Sequence, residues 1–189
     1  AVYTPIDEQH PMQGQSPYSA SKIAADKMAE SYFRSFELPV VTVRPFNTYG
    51  PRQSARAGIP AIATQLLSGA ECLRLGSLEP VRDMTYVLDT VSGFLAAGEA
   101  NSPCLGDVFN LGAGRGLTIG HLVKLLMKLI GREVEIETDE ARMRPVKSEV
   151  FELIANTDKA KKLLGWEPRY SLEQGLAQVI DYLRDNLDA

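Results

Sequence analysis

Two side chains four residues apart near the front of the chain, Tyr18 and Lys22 in the stretch SPYSASK, can do acid–base chemistry if a helix carries them. Positions i and i+4 of a helix share a face, so their side chains approach one another. An ammonium beside a phenol favours the phenolate, and a tyrosine assisted in this way can exchange a proton with a sugar hydroxyl. The spacing alone is a weak signal, since a tyrosine packed beside a solvated lysine satisfies it equally well. Three further stretches carry groups suited to an anionic ligand: RPFNTYGPR (44–52), VRDMTYVLD (81–89) and RPVKSEV (144–150). Arg82 and Arg144 offer planar guanidinium forks that match phosphate oxygens, although a surface ion pair explains any single arginine as well. Asn47 sits in a Gly/Pro stretch, where an asparagine can bind a ligand or simply stabilise a turn. Arg52 and Arg56 read equally well as solvated loop charges. Cys72 and Cys104 have no metal-ligand spacing and His10 and His121 flank no carboxylate pattern, so the expectation is free thiols and no metal site.

The elements that must position these groups can be read from pattern and punctuation. Ser16 is a helix cap and Pro17 suits the first helical position. Ile23, Ala24, Met28, Tyr32 and Phe36 recur at helical steps, which predicts one buried stripe ending before Pro39. PVVTVRP (39–45) reads as a buried strand and FNTYGPRQ (46–53) as a loop. A short helix over 59–68 stops at Gly69, ECLRL (71–75) is a strand, and VLDTVSGFLAAGEA (87–100) is a helix with Asp89 as its cap. DVFNLG (107–112) is a strand, and Thr118 caps an amphipathic helix that Gly131 stops. EVEIET (133–138) alternates like a strand. A helix around 157–164 ends at Gly165, and Ser171 with Gln174 forms a capping box for a last helix. Helices and strands alternate, so the fold class is α/β.

Composition narrows the function classes. The chain has 189 residues, 44% hydrophobic and 23% charged, enough for a real core. A net charge of −4 disfavours nucleic acid or an anionic membrane surface as partner. No apolar run approaches the roughly 18–20 residues of a membrane span. No signal-peptide pattern opens the chain, and the expectation is a cytoplasmic protein.

Tyr18–x–x–x–Lys22, followed in order by RPFNTYGPR, VRDMTYVLD, VFNLGAG (108–114) and RPVKSEV, resembles the extended short-chain dehydrogenase/reductase family of NAD-dependent sugar-nucleotide epimerases and dehydratases. The likeness runs over nearly the whole chain and is nearest in pattern to the 4,6-dehydratases; FNTYGPR also looks like the UDP-glucuronate decarboxylases. It implies a Rossmann-like parallel sheet with a smaller substrate-binding domain. Residues 1–50 and 88–114 would belong to the NAD domain, and residues 51–87 and 115–189 to the nucleotide-sugar domain. It also implies roles. Tyr18 would be the acid/base at the sugar C4 hydroxyl, and Lys22 would hold both the phenolate and the nicotinamide ribose. Pro45 would bring backbone to the nicotinamide, and Asn47, Arg82 and Arg144 would bind the substrate. The backbone of Leu73 to Leu75 would offer itself to the base.

Parts of that family pattern are not found here. The Gly-x-x-Gly-x-x-Gly turn that opens the family's fold, and holds the NAD pyrophosphate at a helix N-terminus, has no counterpart. GAGRG (112–116) lies late and lacks the spacing. The family's catalytic Ser/Thr and the dehydratase Asp–Glu pair would fall before Ala1. The resemblance is therefore to the C-terminal portion of such an enzyme. It predicts a truncated or partnered chain that forms a homodimer or pairs with a chain supplying the N-terminal half. The alternative is a nucleotide-sugar-binding fragment without redox activity.

Overall fold

The computed structural model describes residues 1–142 and 150–186. Helices and strands alternate along it, with mostly parallel pairing, as an α/β chain requires.

The first helix, α1 (Pro17–Phe36), begins as its sequence dictates. Ser16 Oγ accepts from the Ser19 backbone N–H, and the Ser19 hydroxyl accepts from the Ser16 N–H. Glu37 closes the helix in a left-handed conformation, donating its N–H to the Phe33 carbonyl. The predicted stripe exists, but it is not buried. Met28 is 60% and Phe36 73% exposed, and α1 has no buried residue. An apolar stripe states which face of a helix avoids water; it does not supply the surface that covers that face.

Strand β1 (Thr42–Pro45) follows and pairs in parallel with β5 (Val108–Leu111), Arg44 opposite Asn110 and Pro45 opposite Leu111. Among the described residues β1 has no second neighbour. FNTYGPRQ is not wholly a loop: Asn47–Tyr49 form β2, which pairs in parallel with β4 (Val81–Tyr86). Once the chain has left the β1–β5 pair at Pro45, it finds fresh backbone partners on β4, and ladder bonds outweigh the turn preference of Asn47. β4 is also flanked by β6 (Gly116–Thr118), antiparallel, and by β8 (Glu152–Leu153), parallel.

The larger core lies under α2 (Gly58–Leu67), α4 (Ile119–Ile130) and α6 (Leu172–Asn186). In α4, Thr118 Oγ1 accepts from the His121 N–H, Gly131 closes the helix at φ 78°, and Leu122, Val123, Leu126 and Met127 are buried. The capping box of α6 forms as expected, with reciprocal bonds between Ser171 and Gln174. Glycine is required at position 175, because a Cβ there would fall 2.1 Å from the Tyr49 hydroxyl. β3 (Cys72–Leu75) pairs with β7 (Glu135–Thr138) and turns Leu73 and Leu75 inward. A smaller cluster, comprising Cys104, Phe109, Leu111, Ala160 and Trp166, packs beneath β5, between α3 (Val87–Gly98) and α5 (Asp158–Leu164).

Asp89 is not the cap of α3. The helix starts directly from β4, with Tyr86 at the cap position and no side-chain cap bond. The Asp89 carboxylate is buried and accepts from the backbone N–H groups of Arg169 and Tyr170, at 2.8 and 3.2 Å. Two N–H donors from a distant loop offer more than the orphan N–H groups of its own first turn.

Candidate functional site

Tyr18 and Lys22 lie on one face of α1, as their spacing dictates, with the Lys22 ammonium 5.6 Å from the centre of the Tyr18 ring. Tyr18 is 72% exposed, and its backbone carbonyl accepts from Ser21 Oγ. One turn beyond Lys22 on α1, Asp26 accepts from Arg44 Nε at 2.6 Å, a half-buried ion pair that ties the helix to β1. The same guanidinium reaches Met12 Sδ through Nη2 at 3.4 Å. Pro45, next to Arg44, stands exposed at the carboxyl end of β1.

Two residues on, Asn47 enters β2 opposite Met84 of β4, and its Nδ2 donates to the Asp83 carbonyl at 3.2 Å. Arg82 lies on the same strand as Asp83 and is half-buried, its Nη1 donating to the Val81 and Phe151 carbonyls. The fold thus sets Asn47 and Arg82 on paired strands, and sets Tyr18 and Lys22 on a helix braced against the strand that ends at Pro45. Arg144 lies outside the described residues. Arg52 and Arg56 are exposed, and Arg52 adopts φ 65°, an unusual conformation for a side chain of that size. On the edge of β3 away from β7, the Arg74 N–H is already taken by Gln65 Oε1.

Sequence reasoning missed Asp83. Its carboxylate is fully buried and accepts three backbone N–H bonds: from Ala113 at 2.7 Å, from Gly114 at 2.9 Å and from Ala155 at 3.1 Å. Burial pushes the Asp83 carboxyl above the ordinary carboxylate range, and the N–H donors pull against that. This contact also explains GAGRG. The two successive N–H groups form an anion-binding nest, Gly114 taking φ 66°, and the nest is filled by the chain's own carboxylate. A dinucleotide phosphate would have to displace Asp83. The only signal in the sequence was an acidic residue within a strand pattern, beside Arg82.

A surface hollow of about 350 Å³ lies elsewhere, lined by Lys124, Met127, Lys128, Gly131, Arg132 and Glu133. Arg132 is already engaged there, donating to the Leu66 and Ala70 carbonyls at the end of α2. Among the described residues no group of three His, Cys, Asp or Glu side chains could hold a metal ion. No described helix is long and apolar enough to cross a membrane.

Comparison with known proteins bears on this geometry. The family model described as GDP-mannose 4,6 dehydratase matches residues 1–179. Human dTDP-D-glucose 4,6-dehydratase is 30% identical over 188 residues, covering 96% of this chain and 52% of that protein. UDP-glucose 4-epimerase of Mycolicibacterium smegmatis is 30% identical over 184 residues, covering 96% of this chain and 57% of that protein. Among solved structures, dTDP-glucose 4,6-dehydratase of Bacillus anthracis in complex with NAD superposes with a TM-score of 0.81 at 31% identity, covering 95% of this chain and 55% of that one. UDP-glucose 4-epimerase of Thermotoga maritima with UDP-glucose gives 0.83 at 34% identity, covering 97% and 58%. The chain spans about half the length of the curated relatives it matches.

Proposed function

We propose, from the premise that this chain belongs to the GDP-mannose 4,6-dehydratase family of extended short-chain dehydrogenase/reductases, that it carries the acid–base and substrate-gripping part of an NAD-dependent sugar-nucleotide dehydratase or epimerase. The observation that carries the proposal is the arrangement around β1. Tyr18 and Lys22 share an exposed helix face braced by Asp26–Arg44 against the strand ending at Pro45, and Asn47 and Arg82 follow on paired strands.

The residues assigned to the nicotinamide end of the cofactor, Tyr18, Lys22 and Pro45, are all exposed, and Pro45 stands at the carboxyl end of a parallel strand, where open α/β sheets bind ligands. The pyrophosphate end does not find a site among the described residues, because the one glycine-rich nest is occupied by Asp83. When bound, NAD would take a hydride from the sugar C4 and later give it back to the sugar. Tyr18 takes the C4 hydroxyl proton as that hydride leaves, and Lys22 holds the phenolate and the ribose; in an epimerase the proton goes back to the same oxygen. Arg82 and Asn47, with Arg144, hold the substrate's diphosphate and sugar. On this reading residues 1–50 and 88–114 belong to the cofactor domain and the remainder to the substrate domain. The apolar face of α1 and the edge of β1 left unpaired among the described residues are surfaces that a second copy or an N-terminal half would cover.

The test is calorimetric. The 189-residue chain is titrated with NAD and, separately, with UDP- and dTDP-sugars. Nucleotide-sugar binding with weak or no NAD binding is expected, and no nucleotide-sugar binding at millimolar concentration would refute the substrate assignment. In a form that turns over substrate, Tyr18→Phe is expected to abolish turnover with an unchanged circular dichroism spectrum; undiminished turnover would remove Tyr18 from its role.

A further inference from the structure

Asp83 is a charged side chain with no access to solvent and no cationic partner among the described residues. A buried carboxylate left unpaired costs several kcal/mol, so its surroundings have to be built for it. They are. Ala113 and Gly114 donate successive N–H groups from the loop after β5, and Ala155 donates a third from the segment after β8. Glycine at position 112 permits the close approach, because a Cβ there would fall 2.8 Å from Asp83 Oδ2 and 2.4 Å from the Ala155 Cβ. One side chain thus ties three segments together.

The backbone carbonyl of Asp83 and the side chain of its neighbour Arg82 engage other segments. Side chains alternate along a strand, so Arg82 and Met84 face opposite to the Asp83 carboxylate. The Asp83 carbonyl accepts from Asn47 Nδ2, and Arg82 Nη1 donates to the Phe151 carbonyl, four residues before Ala155. The residue that anchors β4 to the segment containing Ala155 is therefore also the residue from which Asn47 and Arg82 take their places.

We infer that Asp83 is a positioning residue for the nucleotide-sugar grip: by filling the nest made by this chain's own glycine-rich loop, it sets Arg82 and Asn47 against the 151–155 segment so that they meet a nucleoside diphosphate. The inference rests on the proposed function and deepens it. An asparagine at this position offers one acceptor oxygen in place of two and turns an NH2 toward a backbone donor. The nest then opens and β4 shifts against its neighbours, which displaces the guanidinium that faces the diphosphate and leaves contacts to the nucleoside in place.

The experiment is calorimetric titration of the chain with dTDP and UDP, and with thymidine and uridine by competition, well below the melting temperature. Asp83→Asn is expected to weaken the diphosphates about tenfold while the nucleosides change less than about twofold. Arg82→Ala provides the reference for loss of the grip. If the diphosphates lose affinity with Arg82→Ala but not with Asp83→Asn, or if nucleosides and diphosphates weaken together with Asp83→Asn, the positioning role is overturned and the substrate site stands. If Arg82→Ala has no effect, the grip and the positioning role fall together. Gly112→Ala, which disturbs the nest with the carboxylate intact, serves if Asp83→Asn does not fold. The same diphosphate-selective loss is expected, and parental affinity for the diphosphates overturns the inference.

Discussion

Asp89→Ala separates two readings of one residue, and its cost can be worked from the bonds it makes. Asp89 is 2% exposed and accepts from the N–H groups of Arg169 and Tyr170; its backbone carbonyl accepts from Trp166 Nε1 at 3.1 Å and would survive the substitution. Truncation to alanine strands two donors, each costing about 1–3 kcal/mol when buried. Both belong to exposed residues, where water partly replaces the carboxylate, so the lower half of that range applies and the sum is about 3 kcal/mol. A helix cap alone would cost about 1 kcal/mol. For a chain of this size about 3 kcal/mol corresponds to roughly 6–12 °C in melting temperature. Trp166 is the sole tryptophan, is buried, and donates to Asp89 and Ser92, so its fluorescence reports the transition directly. Hydrogen exchange locates the damage: the Arg169 and Tyr170 amides are expected to exchange faster, and those of the first turn of α3 are expected to keep their rates. A melt lowered by no more than about 4 °C, or faster exchange confined to the start of α3, would refute the cross-link and restore the cap.

Three further perturbations test other joints. Gly175→Ala places a methyl against the Tyr49 hydroxyl and within 2.8 Å of Tyr86, and thermal melts are expected to show a loss of about 1–3 kcal/mol as α6 is pushed from β2. Arg44→Ala removes the Asp26–Arg44 tie, and hydrogen exchange is expected to accelerate through α1 while α4 in the larger core is unaffected. Hydrogen bonding to Lys27 and then to Arg34 holds the Glu30 carboxyl below its ordinary value. The folded chain therefore binds fewer protons there than the unfolded chain, so the stabilisation is complete above the ordinary carboxylate pKa and is lost as pH falls through the lowered one. Urea midpoints compared at neutral and acidic pH are expected to fall less for Glu30→Gln than for the parent.

Where the code is local, it is legible without coordinates. Ser16, Thr118 and the Ser171–Gln174 pair cap helices because a side-chain oxygen satisfies an N–H two or three residues away, and Gly131 and Gly165 end helices because they accept a left-handed backbone. The shared face of Tyr18 and Lys22 follows from helical period alone, and so do the stripes of α4 and α6. Two failures of the local reading, at Asn47–Tyr49 and at Asp89, have one source: a partner distant in sequence. Asn47–Tyr49 became a strand because β4 lay alongside, against the turn chemistry of FNTYG. Asp89 looked like a cap because the Arg169 and Tyr170 donors, 80 and 81 residues away, could not be seen.

The stripe of α1 and the carboxylate of Asp83 mark the boundary most clearly. The sequence by itself determined that α1 is amphipathic, that Tyr18 and Lys22 meet on it, and that GAGRG lacks dinucleotide spacing, since each is a matter of period or spacing within one segment. Only the tertiary structure decided that the stripe stands open, that Arg44 braces α1 through Asp26, and that the nest of GAGRG holds Asp83. A side chain's periodicity states what it avoids or seeks, but which group meets it depends on long-range packing, where donors 30 and 31 residues away come within 3 Å of one carboxylate.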